Sequence, residues 1–162
     1  MGKLTVLALR IVLAMVLAGS LFVQAVMMPL LWTDLEEAPA AVRTSLIVIV
    51  ILGIVTVQVT ALCVWRLLTM VRRGTVFSHA AFRYVDIVFG AIATASLLTF
   101  AMGVVLAPGE AVAPGIVLLI GGAGVMIAGV ALIVMVLRML LAQAVARDVE
   151  ANHLRAELDE VI

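Results

Sequence analysis

The chain has 162 residues, of which 66% are hydrophobic and only 12% charged, and its mean hydropathy is +1.34. A soluble domain carries roughly a quarter of its residues as charged side chains, so this composition excludes a water-soluble globule, and its high apolar content excludes a disordered chain. Ten basic and ten acidic residues give no net charge, and the one cysteine and two histidines supply neither a disulfide framework nor a metal cluster.

Four apolar stretches are long enough to cross a bilayer, which takes about 20 residues in a helix. The sequence therefore predicts an all-α fold, an integral membrane four-helix bundle with spans at about 11–31, 46–71, 87–107 and 115–137. We expect the bundle to occupy residues 1–138, and a cytoplasmic helical tail to occupy 139–162. The tail lacks glycine and proline, so the fourth helix is predicted to continue into it.

The distribution of basic residues predicts the orientation of these spans, because short cytoplasmic loops are enriched in lysine and arginine. Nine of the ten basic residues lie on one side of the four predicted spans, and Arg43 is the exception. The nine are Lys3, Arg10, Arg66, Arg72, Arg73, Arg83, Arg138, Arg147 and Arg155. We therefore expect both termini to be cytoplasmic.

The first span has an alternative interpretation as a cleaved signal peptide. Lys3 and Arg10 precede an apolar run, and Val23, Gln24 and Ala25 form a small-residue pattern of the kind found at cleavage sites. The apolar run continues to Leu31, which favours a retained membrane span.

Small residues at helical spacing predict where the helices pack, because membrane helices associate by close backbone approach. On the second and fourth spans these positions are Gly53, Thr56, Thr60 and Cys63, and Gly121, Gly124, Ala128 and Ala131. Looser stripes on the first and third spans are Ala14, Ala18 and Ala25, and Gly90 with Thr94. A compact up-down bundle is the simplest interpretation, and a homo-oligomer that uses one stripe is the alternative.

Two amide side chains, Gln24 and Gln58, lie within the predicted spans. We interpret them as interhelical hydrogen-bonding groups, with a transport pathway as the alternative. Counted from the outer ends of the spans, their depths differ by about 10 Å, so we do not expect them to be each other's main partner.

The loop between the second and third spans has the features of a helix end followed by a helix start. Gly74 suits a left-handed C-terminal cap, Ser78 suits an N-cap, and Phe77 stands where a hydrophobic staple begins. Arg83 and Asp86 are three residues apart and are predicted to pair on the helix surface.

The tail carries two arginines and five acidic residues beyond Ala144. Leu154, Leu158 and Val161 share one helical face. An acidic tail is not attracted to an anionic lipid surface. It is therefore predicted either to be a solvated helix end or to bind a protein.

Two motifs together resemble a known family. The first runs Arg73, Gly74, Thr75, Val76, Phe77, Ser78 and is followed by Arg83 and Tyr84; the second is the ending Leu154, Arg155, Ala156, Glu157, Leu158, Asp159, Glu160, Val161, Ile162. This pattern resembles the domain of unknown function 2975 family of bacterial four-helix membrane proteins. The resemblance implies that the protein lies in a bacterial plasma (inner) membrane. The resemblance implies a partner, a small helix-turn-helix regulator of the Cro/repressor type, because genes of the family often neighbour one.

We expect a non-enzymatic regulatory adaptor with no cofactor and no direct contact with nucleic acid. Cys63 has no histidine partner at its depth, and the acidic cluster of Asp34, Glu36 and Glu37 suits a solvated loop. The alternative is a small transporter or exporter subunit, but the predicted spans contain no carboxylate of the kind that marks a proton route. The candidate docking residues are Leu154, Glu157, Leu158, Asp159, Glu160, Val161 and Ile162, and the loop motif adds Arg73, Gly74, Phe77, Ser78 and Arg83.

Overall fold

The computed structural model describes residues 2–36, 39–72, 79–108 and 112–161, and the regular elements in these ranges are all helical. They are α1 (Gly2–Phe22), a π-helical turn (Val23–Met27), α2 (Met28–Asp34), α3 (Ala40–Arg72), α4 (His79–Leu106) and α5 (Pro114–Val161). Within the described ranges, four helical segments are long and apolar enough to cross a membrane: Leu4–Asp34, Ala40–Met70, Phe82–Leu106 and Pro114–Arg155. The predicted all-α, four-span architecture is confirmed.

The first span is one continuous helical path that changes its winding near Pro29. Proline has no backbone N–H and its ring crowds the carbonyl of the residue four positions earlier, which here is Ala25. The π-helical turn Val23–Met27 surrounds that carbonyl, and α2 then restarts with proline in its first turn. Pro29 therefore explains both the π turn and the restart of the helix.

The fourth span continues without a break into a long helical extension. Pro114 lies in the first turn of α5, where its missing N–H costs no hydrogen bond, and the helix then runs to Val161. No glycine or proline follows Gly129, so nothing in the sequence ends the helix earlier. The predicted continuation of the fourth helix beyond the membrane span is confirmed.

The helices that pack against each other over most of their length are neighbours in the chain. Among the described residues, α3 packs along α4, α4 packs along α5, and the first span packs on α3. Six buried hydrophobic side chains lie among the described residues: Leu13, Ile47, Ala61, Cys63, Val88 and Ala131. Large apolar side chains such as Leu118 and Leu97 are mostly exposed, which suits a surface surrounded by lipid tails rather than water.

A tight contact between α4 and α5 is centred on Gly124. A Cβ atom at this position would lie 3.1 Å from the Phe100 ring, so only glycine fits without a shift of the ring. Beside it, the buried Ser96 hydroxyl donates a 2.9 Å hydrogen bond to the Gly124 carbonyl oxygen. Contact and hydrogen bond together hold the two helices at this level.

The other predicted packing positions vary in their surroundings. Thr56 is buried, and Thr60 and Ala128 are half-buried. A Cβ at Gly53 or Gly121 would meet no neighbouring atom within 4 Å, so neither glycine is a point of close backbone approach.

The stripes predicted for the first and third spans do not pack against other helices of the same chain. Ala14, Ala18 and Ala25 are exposed, as are Gly90 and Thr94. On the first span, Arg10, Ser20 and Gln24 need polar partners, and their bonds to α3 turn the alanines outward. On the third span, Val88 and Ser96 are buried instead.

Candidate docking helix and its contacts with the spans

Two polar contacts bring together side chains of all four spans at one end of the bundle, and three of these side chains are charged. Arg10, near the start of α1, donates from Nη2 to Thr69 Oγ1 near the end of α3, at 3.1 Å. Asp86, near the start of α4, pairs with Arg138 of α5. We call this the charged end of the bundle, and define it by Arg10, Thr69, Asp86 and Arg138.

The ion pair between Asp86 and Arg138 brings the guanidinium against both carboxylate oxygens, with one hydrogen bond. Arg138 Nη2 donates to Asp86 Oδ2 at 2.8 Å, and its Nε faces Asp86 Oδ1. The planar guanidinium matches the two carboxylate oxygens, which fixes orientation as well as distance. The predicted pairing of Asp86 with Arg83 is wrong, because the carboxylate is taken by Arg138 from the neighbouring helix, while Arg83 is exposed.

The extension of α5 begins at this ion pair. The helix after Arg138 runs for about 35 Å at the usual rise of about 1.5 Å per residue. Every residue from 146 to 155 is exposed, including Val149 at 64% and Leu154 at 54%. We call the segment 146–161 the docking helix. Because it is continuous with the fourth span, any tilt or rotation of that span also moves the docking helix.

The structure describes the predicted docking residues to different extents. Leu154 is an exposed side chain on the docking helix, and the helical backbone continues through Glu157, Leu158, Asp159, Glu160 and Val161. Helical spacing places Leu154, Leu158 and Val161 on one face of that helix. Ile162 lies outside the described residues, as do Arg73, Gly74, Phe77 and Ser78 of the predicted loop motif.

Arg10 lies at the charged end without an acidic partner among the described residues. Its guanidinium carbon lies 5.8 Å from the centre of the Trp65 ring, a cation–π distance. Its Nε is buried and has no hydrogen-bond partner in the described part of the chain. Arg10 therefore keeps both an uncompensated charge and unused donor capacity.

The opposite end of the bundle carries a single described cation. The guanidinium of Arg43, near the start of α3, lies 4.5 Å from the centre of the Trp32 ring of α2. Asp34 and Glu36 are exposed nearby in sequence. Charge is therefore asymmetric along the bundle axis, as the sequence predicts.

A polar cluster joins the first span to α3 within the apolar region. Gln58 Nε2 donates to Gln24 Oε1 at 2.9 Å and to Ser20 Oγ at 3.1 Å. The prediction that the two glutamines are not main partners is wrong. It assumed that the outer ends of the two spans are level, and the 2.9 Å bond shows that depths counted in this way do not give the register of the two helices.

We expect the two glutamines to be energetically coupled. In a double-mutant cycle of Gln24→Leu and Gln58→Leu, the coupling energy should be about 0.6 kcal/mol and no more than about 1.7 kcal/mol, as for other hydrogen bonds between membrane helices. Unfolding of the purified protein by a denaturing detergent measures each variant. If the loss of stability in the double variant equals the sum of the losses in the two single variants, the hydrogen bond does not contribute to stability.

Within the described residues, no group of three or more histidine, cysteine, aspartate or glutamate side chains is placed to hold a metal ion. Cys63 is a buried free thiol on α3.

Comparison with known proteins gives one family. The family model described as "Protein of unknown function (DUF2975)" matches residues 30–162, which covers α3, α4 and α5 and leaves most of the first span outside. No curated protein and no solved structure matches the chain.

Proposed function

The chain belongs to the DUF2975 family, and we propose that it is a non-enzymatic regulatory adaptor of the bacterial inner membrane. In this proposal both termini are cytoplasmic, and the docking helix binds a small helix-turn-helix regulator. The observation that carries the proposal is the docking helix, which is exposed over residues 146–155 and projects beyond the charged end as a continuation of a membrane span.

The charge of the tail suits this class of partner. Proteins that bind DNA carry lysine and arginine at the surface that contacts phosphates. The five acidic residues beyond Ala144 offer carboxylates to the same kind of surface, and Leu154, Leu158 and Val161 add an apolar stripe along which a partner helix can pack. A regulator held in this way is kept away from its operator.

The orientation rests on the basic residues. In the sequence, nine of the ten fall on one side of the four predicted spans, and Arg43 falls on the other. Lysine and arginine accumulate on the cytoplasmic side of short-loop membrane proteins, so the charged end is assigned to the cytoplasm.

Regulation requires that a signal favour one arrangement of the bundle over another. The contacts between α4 and α5 at Gly124 and at Asp86 with Arg138 set the direction of α5, and hence of the docking helix. A signal that shifts these contacts would move the docking surface relative to the membrane.

Truncation tests the proposal. The full chain and a chain ending at Asn152 are crosslinked in cells and purified, and the recovered proteins are identified. We expect a DNA-binding helix-turn-helix protein with the full chain and at least about a tenfold loss with the shorter chain, since the loss of a few central anchors removes most binding energy.

A matched pair of single substitutions serves as the control. Leu158→Asp places a charge on the apolar stripe, and Asn152→Asp places the same charge on the opposite face of the helix. Loss of the regulator with Leu158→Asp alone supports docking through the stripe. Equal recovery with the full and shortened chains would overturn the proposal.

Transport is a second candidate function, favoured by the polar cluster of Ser20, Gln24 and Gln58 within the spans. It predicts that Gln58→Leu abolishes uptake or efflux of a solute in vesicles while the shortened chain keeps it. The adaptor function predicts that the shortened chain loses the partner while Gln58→Leu keeps it. The two variants therefore distinguish the two candidate functions.

A further inference from the structure

A cavity of about 360 Å³ lies between the four spans. Its wall is almost entirely apolar and includes Leu13, Val16, Thr60, Ala91, Ala95 and Ile127, with contributions from α1, α3, α4 and α5. Its volume falls in the range of about 300–1,000 Å³ that is typical of small-molecule sites. The cavity exists because the first span packs on α3 but makes no extended contact with α4 or α5 among the described residues.

The hydroxyl groups in the wall of the cavity already have hydrogen-bond acceptors and do not need water. Thr56 and Thr60 both line the cavity, and each hydroxyl donates to a backbone carbonyl of its own helix, at 2.7 and 2.8 Å. An apolar cavity holds water poorly and binds apolar molecules instead. The chemistry of the wall therefore selects a hydrocarbon.

The cavity is open toward the lipid-facing surface of the bundle. Two of its wall residues, Val16 and Val57, are 38% and 48% exposed. In a membrane protein this surface meets acyl chains, so hydrocarbon enters sideways without crossing water.

Arg10 lies close to the cavity in the direction of the charged end. It precedes the wall residue Leu13 by three positions, so the two lie on the same side of α1, about 5 Å apart along the axis. Its charge is not matched by an acidic partner among the described residues, and its Nε has no hydrogen-bond partner there. Phosphate is the headgroup chemistry that an arginine at this position binds best.

We propose that the cavity binds an anionic phospholipid, with one acyl chain between the four spans and the phosphate at Arg10. This site is independent of the docking helix and goes beyond the proposed function. Its occupant touches all four spans, so its binding stabilises the arrangement in which they surround it.

Heavy-atom quenching of Trp65 tests the proposal. Trp65 lies one turn from the wall residue Ala61, and Trp32→Phe leaves it as the only tryptophan. The full chain with this substitution is placed in phosphatidylcholine vesicles with a few mole per cent of phosphatidylglycerol that carries brominated acyl chains. We expect at least twofold more quenching than with the same fraction of brominated phosphatidylcholine.

Cavity-filling variants and their control identify the site. Ala95→Leu and Ala91→Leu fill the cavity from α4 and should reduce quenching by phosphatidylglycerol to the phosphatidylcholine level, whereas Leu97→Phe, on the lipid-facing side of α4, should leave it unchanged. Arg10→Gln should remove the preference for the anionic lipid. Equal quenching by the two lipids would overturn the proposal. It would also be overturned if Ala95→Leu and Leu97→Phe changed the quenching equally while both proteins remained helical.

Discussion

Replacement of Gly124 by leucine should lower the free energy of unfolding by about 1–3 kcal/mol, the usual effect of inserting methylenes into a packed core. The first atom of the new side chain would lie 3.1 Å from the Phe100 ring. Leucine would therefore have to displace the Phe100 ring, and its longer side chain would weaken the bond from Ser96 to the Gly124 carbonyl. Unfolding of the purified chain in mixed micelles measures the loss.

Gly122→Leu is the matched control, because it makes the same change two residues away on the same helix. Gly122 is exposed, and a Cβ there would meet nothing within 4 Å. Because glycine is a poor helix former, Gly122→Leu should leave the free energy of unfolding unchanged or raise it slightly. Equal losses for the two leucine variants would show that the contact with Phe100 does not hold the helices together.

Charge reversal at Asp86 should have the second-largest effect on stability. Asp86→Arg removes the ion pair with Arg138 and places two like charges together, so we expect a loss of about 1 kcal/mol, near the upper end for partly exposed ion pairs. The same variant should broaden the distance distribution between spin labels at Arg83 and Val149, because the ion pair fixes α5 against α4.

The exchanged pair is the control for this prediction. The double variant Asp86→Arg with Arg138→Asp restores opposite charges at the same two positions. It should recover most of the stability and the narrow distance distribution. A double variant no better than the single one would mean that the pair does not position α5.

The number of spans and the long fourth helix could be predicted from the sequence because both depend on properties summed over many residues. Apolar length alone specifies a membrane span, and the lack of glycine and proline after Gly129 is enough to extend α5. The π turn could also have been predicted, since Pro29 lies inside the first apolar run. Its signal is the clash with the Ala25 carbonyl.

The side-chain partners could not be predicted with the same certainty because they depend on register. The pairing of Gln24 with Gln58 follows from where α2 ends relative to the start of α3, which depth counting from assumed level ends misses. Asp86 pairs with Arg138 and not with Arg83 because of how α5 lies against α4. Helical spacing within α4 does not specify that arrangement. Composition also says nothing about the cavity, which results from the order in which the spans pack.

The most direct test of the central claim is site-specific photocrosslinking in living cells from position 154, which is an exposed leucine on the docking helix. Position 152, on the opposite face, and position 125, an exposed valine within the fourth span, serve as controls. A docking helix predicts a strong adduct with a helix-turn-helix DNA-binding protein from position 154, a weaker one from 152 and none from 125. The absence of a protein adduct at position 154 above the level at position 125 would contradict partner docking.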